Sequence, residues 1–335
     1  MKILLCSVPF RPSVGGIETV SEILAERFQR LGHDVVVVTQ TPSELPDAAS
    51  YRIVRQPRFG AFFDLVAWAD IVFHNHISLR LAWPLLVLRR PWVVTHHTWL
   101  PRSGPGAAAA WAKRRLLRFA HNVAVSRAVA DSLPVACALV PNPYADGLFT
   151  RLAAKPRWGD LIFVGRLVDD KGAALLLDAL AELAGRGRVL RATVVGEGPE
   201  AQPLRERAAA LGLGEQLRFA GRRVGADLVD LLNAHPVIVV PSLWEEPFGL
   251  VVLEAMACGC VPIAARSGGL PEAVGDCGVL FPKGDVAALA QAMDALCADH
   301  DALRSYRLRA RAHLARHRPE RVAHDYLELF EHARL

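Results

Sequence analysis

The chain has 335 residues, of which 52% are hydrophobic and 22% charged, with 25 Gly and 22 Pro. At roughly 150 residues per domain this length suggests two domains, and the composition excludes a disordered or collagen-like chain. The net charge of +5 is uneven: residues 1–145 hold 16 Lys and Arg against 9 Asp and Glu, and the rest hold 23 against 25. That asymmetry points to an anionic partner or surface for the first half alone. Nucleic acid is not expected as a partner. No apolar run approaches the ~18 residues needed to span a bilayer. Ile3 to Cys6 is followed by Pro9, Arg11 and Pro12, so it reads as a first buried strand and not as a signal peptide. A cytoplasmic location is expected. Cys6, Cys137, Cys258, Cys260, Cys277 and Cys297 lie scattered in apolar stretches and are expected to be buried, reduced thiols.

Ile3 to Val8 is a continuous apolar run too short for a helix, as in a strand covered on both faces. A loop from Pro9 to Gly16 leads to Ile17–Leu31, whose apolar residues recur at helical spacing until Gly32 stops them. Val35 to Thr39, Ile71 to Phe73, Trp92 to Thr95 and Val123 to Val125 repeat the strand pattern between helical segments. The pattern restarts after Pro141-Asn142-Pro143. Strands are expected at Leu161 to Val164, Arg191 to Val195, Leu217 to Phe219, Val237 to Val240 and Val261 to Ala264. Helices fit between them, for example Ala173 to Leu183 and Leu204 to Leu211, and one more follows Pro319. The expected fold is α/β: two doubly wound Rossmann-like domains, 1–145 and 146–318, facing a central cleft, with helix 319–335 packing back on the first. Ligands of such sheets lie beyond the carboxyl ends of the strands.

The most informative stretch, Pro241 to Gly259, follows a buried strand. Leu250 to Cys258 reads as a helix stopped by Gly259, so the amides of Phe248, Gly249 and Leu250 would sit at a helix N-terminus suited to anions or hydroxyls. Glu246 and Glu254 are eight residues apart, about 12 Å along a helix axis. A retaining glycosidase pair needs ~5 Å, so the spacing suits two ends of one extended ligand. Here the chain resembles the retaining glycosyltransferases of family 4, with the GT-B fold: Glu246-Pro247-Phe248-Gly249 through Glu254 matches their two glutamates separated by seven residues. The resemblance implies that Glu254 holds the ribose of a nucleotide sugar. It implies also that Glu246 contacts the donor sugar beside Phe248, Gly249 and Leu250.

Further motifs agree. Val164-Gly165-Arg166-Leu167-Val168-Asp169-Asp170-Lys171-Gly172 ends another strand with two cations five residues apart. Arg166 offers a planar fork and Lys171 a compact charge to a departing diphosphate; the family uses its matching pair in this way without metal, so no cofactor is expected. Gly196-Glu197-Gly198 resembles the glycine turn before the nucleotide, with glycines letting the backbone approach a base or phosphate, and Arg222 falls in a segment that flanks the base in relatives. Gly15 and Gly16 would offer amides to the donor phosphate. Thr95-His96-His97-Thr98 aligns His97 with the family's active-site histidine and leaves His96 as an extra. His74 and His76 are expected to be structural.

The resemblance implies transfer of a hexosyl group from a nucleoside-diphosphate sugar, UDP- or GDP-linked, to an acceptor hydroxyl with retention. The acceptor would be a glycan, a lipid-linked sugar or a small molecule. A nucleotide-sugar 2-epimerase on the same fold, or a non-catalytic sugar-nucleotide sensor, would share these residues; an epimerase turns over donor without acceptor. The segment Trp111-Ala112-Lys113-Arg114-Arg115-Leu116-Leu117-Arg118-Phe119 reads as a basic amphipathic helix that would dock the first domain on an anionic membrane, with Leu116, Leu117 and Phe119 on one side.

Overall fold

The computed structural model describes every residue except Leu45, Ala48, Arg102, Pro105 and 153–156. It divides into two units, Met1–Tyr144 with His317–Leu335, and Ala145–Arg316.

In unit 1 the elements are β1 (Lys2–Cys6), α1 (Gly16–Arg30), β2 (Asp34–Thr39), β3 (Arg52–Arg55), α2 (Phe59–Trp68), β4 (Ile71–Asn75), α3 (Leu79–Ala82), β5 (Trp92–His96), α4 (Ala107–Leu116), β6 (His121–Ala124), α5 (Arg127–Asp131) and β7 (Ala138–Leu139). The strands form one parallel sheet in the order β3-β2-β1-β4-β5-β6-β7. The order reverses between β1 and β4, so the loops after β1, β4 and β5 flank the switch point where a doubly wound sheet opens a crevice. On one face Leu4, Val36, Val72 and Val94 pack with Phe62, Leu81 and Leu117 from the helical segments.

Unit 2 carries β8 (Leu161–Val164), α6 (Ala173–Gly185), β9 (Ala192–Val195), α7 (Ala201–Ala210), β10 (Leu217–Gly221), α8 (Gly225–Asn233), β11 (Val237–Val240), α9 (Leu250–Ala257), β12 (Val261–Ala265), α10 (Leu270–Val274), β13 (Val279–Phe281), α11 (Val286–Ala298) and α12 (His300–Ala315). Its parallel sheet runs β10-β9-β8-β11-β12-β13. The reversal falls between β8 and β11. Both strands are apolar runs of four residues, buried as a parallel sheet requires.

The last helix, α13 (Pro319–Arg334), belongs to unit 1. Its buried face brings Tyr326 and Phe330 against Phe28 of α1 and Phe73 of β4, with ring centroids 5.0–5.5 Å apart where the two helical rings meet Phe73 and Phe330 meets Phe28. Tyr326 Oη also shares a 2.9 Å hydrogen bond with Thr95 Oγ1. Burying two such rings contributes on the order of 2–3 kcal/mol each before packing is counted. The chain leaves unit 1 after Tyr144 and returns at His317. There the Tyr144 amide donates to the His317 carbonyl at 3.3 Å, and His317 Nδ1 bonds the Asn142 carbonyl at 3.1 Å.

Several elements differ from the sequence expectation. β3, β7 and β13 are strands with no apolar run long enough to announce them; β3 is Arg-Ile-Val-Arg on the sheet edge. The expected 111–119 helix ends at Leu116 and passes into a 3₁₀ turn over Leu117–Phe119. The tighter turn separates residues that a continuous helix would group: Leu117 is fully buried, whereas Phe119 is 76% exposed. Cys137 and Cys297 are half-buried; the other four thiols are buried, and all six are free. Among the described residues no helix is long and apolar enough to cross a membrane.

Candidate functional site

In unit 2, four loops at the carboxyl ends of the strands interlock backbone to backbone, and glycines make this possible. Gly196 and Gly198, after β9, have φ of +149° and +157°. A Cβ on either would overlap a carbonyl oxygen of the loop after β8, that of Gly165 or of Leu167. Hydrogen bonds lock the same contact: Leu167 N donates to Glu197 O at 2.8 Å, Glu200 N to Leu167 O at 3.0 Å, and Gly165 N to Val195 O at 3.0 Å. The immediate neighbour of these glycines is therefore the Arg166 loop itself. Gly172, in the left-handed region, lies against the Pro241 carbonyl and so brings Lys171 to the loop after β11. Gly268 and Gly269 press on the carbonyls of Glu246 and Pro247, with Gly269 N bonded to Glu246 O at 2.7 Å.

The meshing brings two sequence-distant motifs together. Lys171 Nζ is paired with Glu246 Oε1, which also accepts from Ser242 Oγ at 2.8 Å. The two charged side chains are 21% and 13% exposed. Ser242 is a partner that sequence reading missed, although its position four residues before Glu246 was visible. Arg166, exposed on the loop that also carries Lys171, has no hydrogen-bond or ion-pair partner among the described residues. Gly249, at φ +113°, caps α9 directly after buried Phe248, so Leu250 opens the helix, and the Val252 amide donates to the Gly249 carbonyl at 3.0 Å. Glu246 precedes the helix; the 12 Å helical rise expected between Glu246 and Glu254 applies only from Leu250 onward. Glu254 lies within α9, where burial pushes its carboxyl up to about 7. Arg222 is exposed, and its amide reaches Glu197 Oε1 only at 3.5 Å.

At the carboxyl ends of unit 1, Gly15 caps α1 in an extended conformation and Gly16 opens the helix. The carboxylate of Glu18 folds back over this turn, 2.6 Å from where a Cβ on Gly15 would lie, and accepts from Ser13 Oγ at 3.0 Å. An acidic group so placed favours the helix N-terminus electrostatically and would compete with any phosphate there. His96 ends β5 and His97 follows it. His97 Nε2 is 2.6 Å from Asn75 Oδ1, and His96 Nε2 is 3.0 Å from Asn122 Oδ1. Burial pushes His97 down to about 3, with His76 and His96 adding repulsion, and His96 down to about 4. His74 is wholly buried edge-on to Trp92, and His76 adopts φ +93°. Among the described residues no group of His, Cys, Asp and Glu is arranged to hold a metal ion.

Two doubly wound parallel sheets, each with its functional loops at the switch point, define the GT-B class of glycosyltransferase fold. Residues 151–313 match the model for glycosyl transferases group 1, and residues 14–137 match that for glycosyltransferase family 4. The chain belongs to the family 4-type glycosyltransferases. It is 39% identical over 181 residues to a D-inositol 3-phosphate glycosyltransferase of Nocardia farcinica, covering 51% of this chain and 40% of that enzyme. It is 28% identical to a glycogen synthase of Mycobacterium tuberculosis over 99% of both chains. Its fold matches the crystal structure of Anabaena HepE in complex with UDP and glucose with a TM-score of 0.80, at 24% identity over 99% of each chain.

Proposed function

We propose that the protein transfers a hexosyl group from a nucleoside-diphosphate sugar to an acceptor hydroxyl, with retention and without a metal ion. The observation that carries this is the Lys171–Glu246–Ser242 cluster before the N-terminus of α9, with Arg166, on the same loop as Lys171, unpaired among the described residues. Arg166 and Lys171 supply the charge that a departing diphosphate needs. Glu246 has hydrogen-bond capacity for sugar hydroxyls, and Glu254 for the ribose. The bond from the anomeric carbon to the phosphate oxygen breaks as the acceptor oxygen bonds to the same face, and the acceptor proton passes to the leaving phosphate oxygen. This front-face displacement needs no protein nucleophile. The UDP and glucose bound by the Anabaena relative support a UDP-hexose as donor.

The acceptor is a glycan or lipid-linked sugar met at an anionic cytoplasmic membrane surface. Its support is the basic balance of residues 1–145 together with Trp111 and Phe119, 59% and 76% exposed, and the Arg115 guanidinium 5.2 Å over the Trp111 ring. Arg114 is committed elsewhere, donating to the carbonyls of Leu100 and Pro101.

The test is incubation with UDP- and GDP-hexoses and saccharide or lipid-linked acceptors, with the product's anomeric configuration read by NMR. Transfer with retention, undiminished by EDTA, is expected. An inverted product, or loss of transfer on chelation that Mn²⁺ restores, overturns the mechanism; turnover of donor alone to an epimer overturns the reaction class. Sedimentation with anionic vesicles should weaken when Arg115 and Arg118 become Gln, and equal binding to neutral vesicles removes the membrane.

A further inference from the structure

Four polar side chains from separate elements of unit 1 form one buried chain: Ser7 after β1, Ser21 on α1, Asn75 at the end of β4 and His97 after β5. Ser7 Oγ lies 2.7 Å from Ser21 Oγ and 2.8 Å from the Pro9 carbonyl. Asn75 Nδ2 lies 2.6 Å from Ser21 Oγ and 3.3 Å from the Ile17 carbonyl. A carbonyl oxygen can only accept, so the Ile17 contact requires the amide nitrogen of Asn75, not its oxygen, on that side. Asn75 Oδ1 is thereby turned to His97. An amide oxygen also only accepts, so His97 Nε2 must carry the proton.

The neighbouring residue is a control within the same structure. His96 is fixed in the same way, because Asn122 Nδ2 is spent on the carbonyls of Leu117 and Ala120 at 2.8 and 2.9 Å and its Oδ1 faces His96 Nε2. The free nitrogen of His96, Nδ1, is sealed in the core without a partner among the described residues. His97 keeps 8% of its surface, and its Nδ1 has no partner among the described residues yet is not sealed. Of two adjacent histidines with the same tautomer, one offers a lone pair to a ligand and the other cannot.

We propose that Asn75 is a positioning residue, anchored by Ser21, that locks His97 as the Nε2–H tautomer so that Nδ1 serves only as an acceptor for a hydroxyl of the bound sugar. Burial first, then repulsion from His76 and His96, disfavours a second proton on this ring, and Lys113 acts in the same sense on His76 and His96. His97 is consequently a hydroxyl acceptor and not a proton donor to the leaving group. A hydroxyl donates to such a lone pair, and a fluorine in its place does not. The identity of the ligand as a sugar rests on the function proposed above; the tautomer does not.

The experiment is ¹⁵N NMR of the full chain labelled at histidine, with the His97 signals assigned by their loss in His97→Gln. The wild type should show a protonated Nε2 and a bare Nδ1. Asn75→Leu should give a mixed or Nδ1–H ring, whereas Asn75→Asp, which still accepts from Nε2, should retain the wild-type tautomer and titrate at higher pH. Should Asn75→Leu fail to fold, Ser21→Ala takes its place, since it frees the amide to rotate. In kinetics with UDP-hexose, Asn75→Leu should lower kcat about 10–100-fold with nucleoside diphosphate affinity unchanged, and Asn75→Asp should recover part of it. A wild-type His97 carrying its proton on Nδ1, or a tautomer that none of these substitutions alters, overturns the proposal. The predicted tautomers without any transfer from a nucleotide sugar would leave the lock standing and overturn the reaction instead.

Discussion

The two units solve one problem by different means. In unit 2 the loops at the strand ends are fixed by backbone against backbone, through Gly172, Gly196, Gly198, Gly268 and Gly269. In unit 1 the corresponding loops are fixed by side chains, through Ser7, Ser21, Asn75, His96 and Asn122. Backbone interlocking demands one residue type at fixed offsets from a strand, which leaves a motif. Side-chain interlocking can be met by many combinations and leaves none.

The largest effect separating these modes should come from Gly196→Ala or Gly198→Ala. Each adds a Cβ where a neighbouring backbone oxygen already lies, in a conformation side chains rarely adopt. A cost on the order of 4 kcal/mol in urea unfolding is expected, with loss of nucleotide binding. A change under ~1 kcal/mol would show that the loops are not interlocked.

Lys171→Ala should lower kcat by roughly 100–1,000-fold, as for removal of a group that stabilises developing charge. Glu246→Gln should also lower turnover but bind nucleoside diphosphate more tightly by calorimetry, because Lys171 loses its carboxylate competitor. Weaker diphosphate binding by that variant would deny the competition.

Glu254 gives a pH signature. Its folded pKa is raised to about 7 from 4.5, so the folded state holds a proton that the unfolded chain releases. Stability from this group is therefore present below about pH 4.5 and is lost as pH climbs toward 7 and above. Glu254→Gln should gain on wild type over that window, reaching about 3 kcal/mol at pH 8. Diphosphate affinity of the wild type should rise through pH 7 if ribose hydroxyls bind the ionised carboxylate. Parallel stability profiles for the two proteins would refute the shift.

The smallest effect belongs to Gly15→Ala in unit 1, within about 1 kcal/mol. Gly15 has extended φ, and the new methyl meets only the flexible carboxylate of Glu18. Destabilisation as large as at Gly196 would erase the distinction between the units.

These differences explain what could be read before the fold was seen. The alternation of buried strands and helices gave the α/β class, and the Arg166, Lys171, Glu246 and Glu254 motifs pointed to the loops at the β8/β11 switch point. The reason for Gly196 and Gly198 was not readable, since the carbonyls they approach belong to Gly165 and Leu167, some 30 residues away. The strand β3 was missed because its edge position tolerates Arg52 and Arg55 at its ends. Asn75 was readable as one of three polar residues ending a strand, but its partners were not. Nothing local connects it to Ser21, 54 residues earlier, or to His97, 22 residues later.

The aromatic packing of α13 imposes an order of events during synthesis. Phe28 and Phe73 leave the ribosome early, but the Tyr326 and Phe330 rings that cover them are made more than 250 residues afterwards. Every residue of unit 2 emerges in between, so the second unit to begin is the first whose chain is complete. Until then the nascent first unit carries an uncovered apolar face, the kind of surface that holdase chaperones retain. A released chain truncated at residue 316 should bind such a chaperone through unit 1 while unit 2 already resists protease.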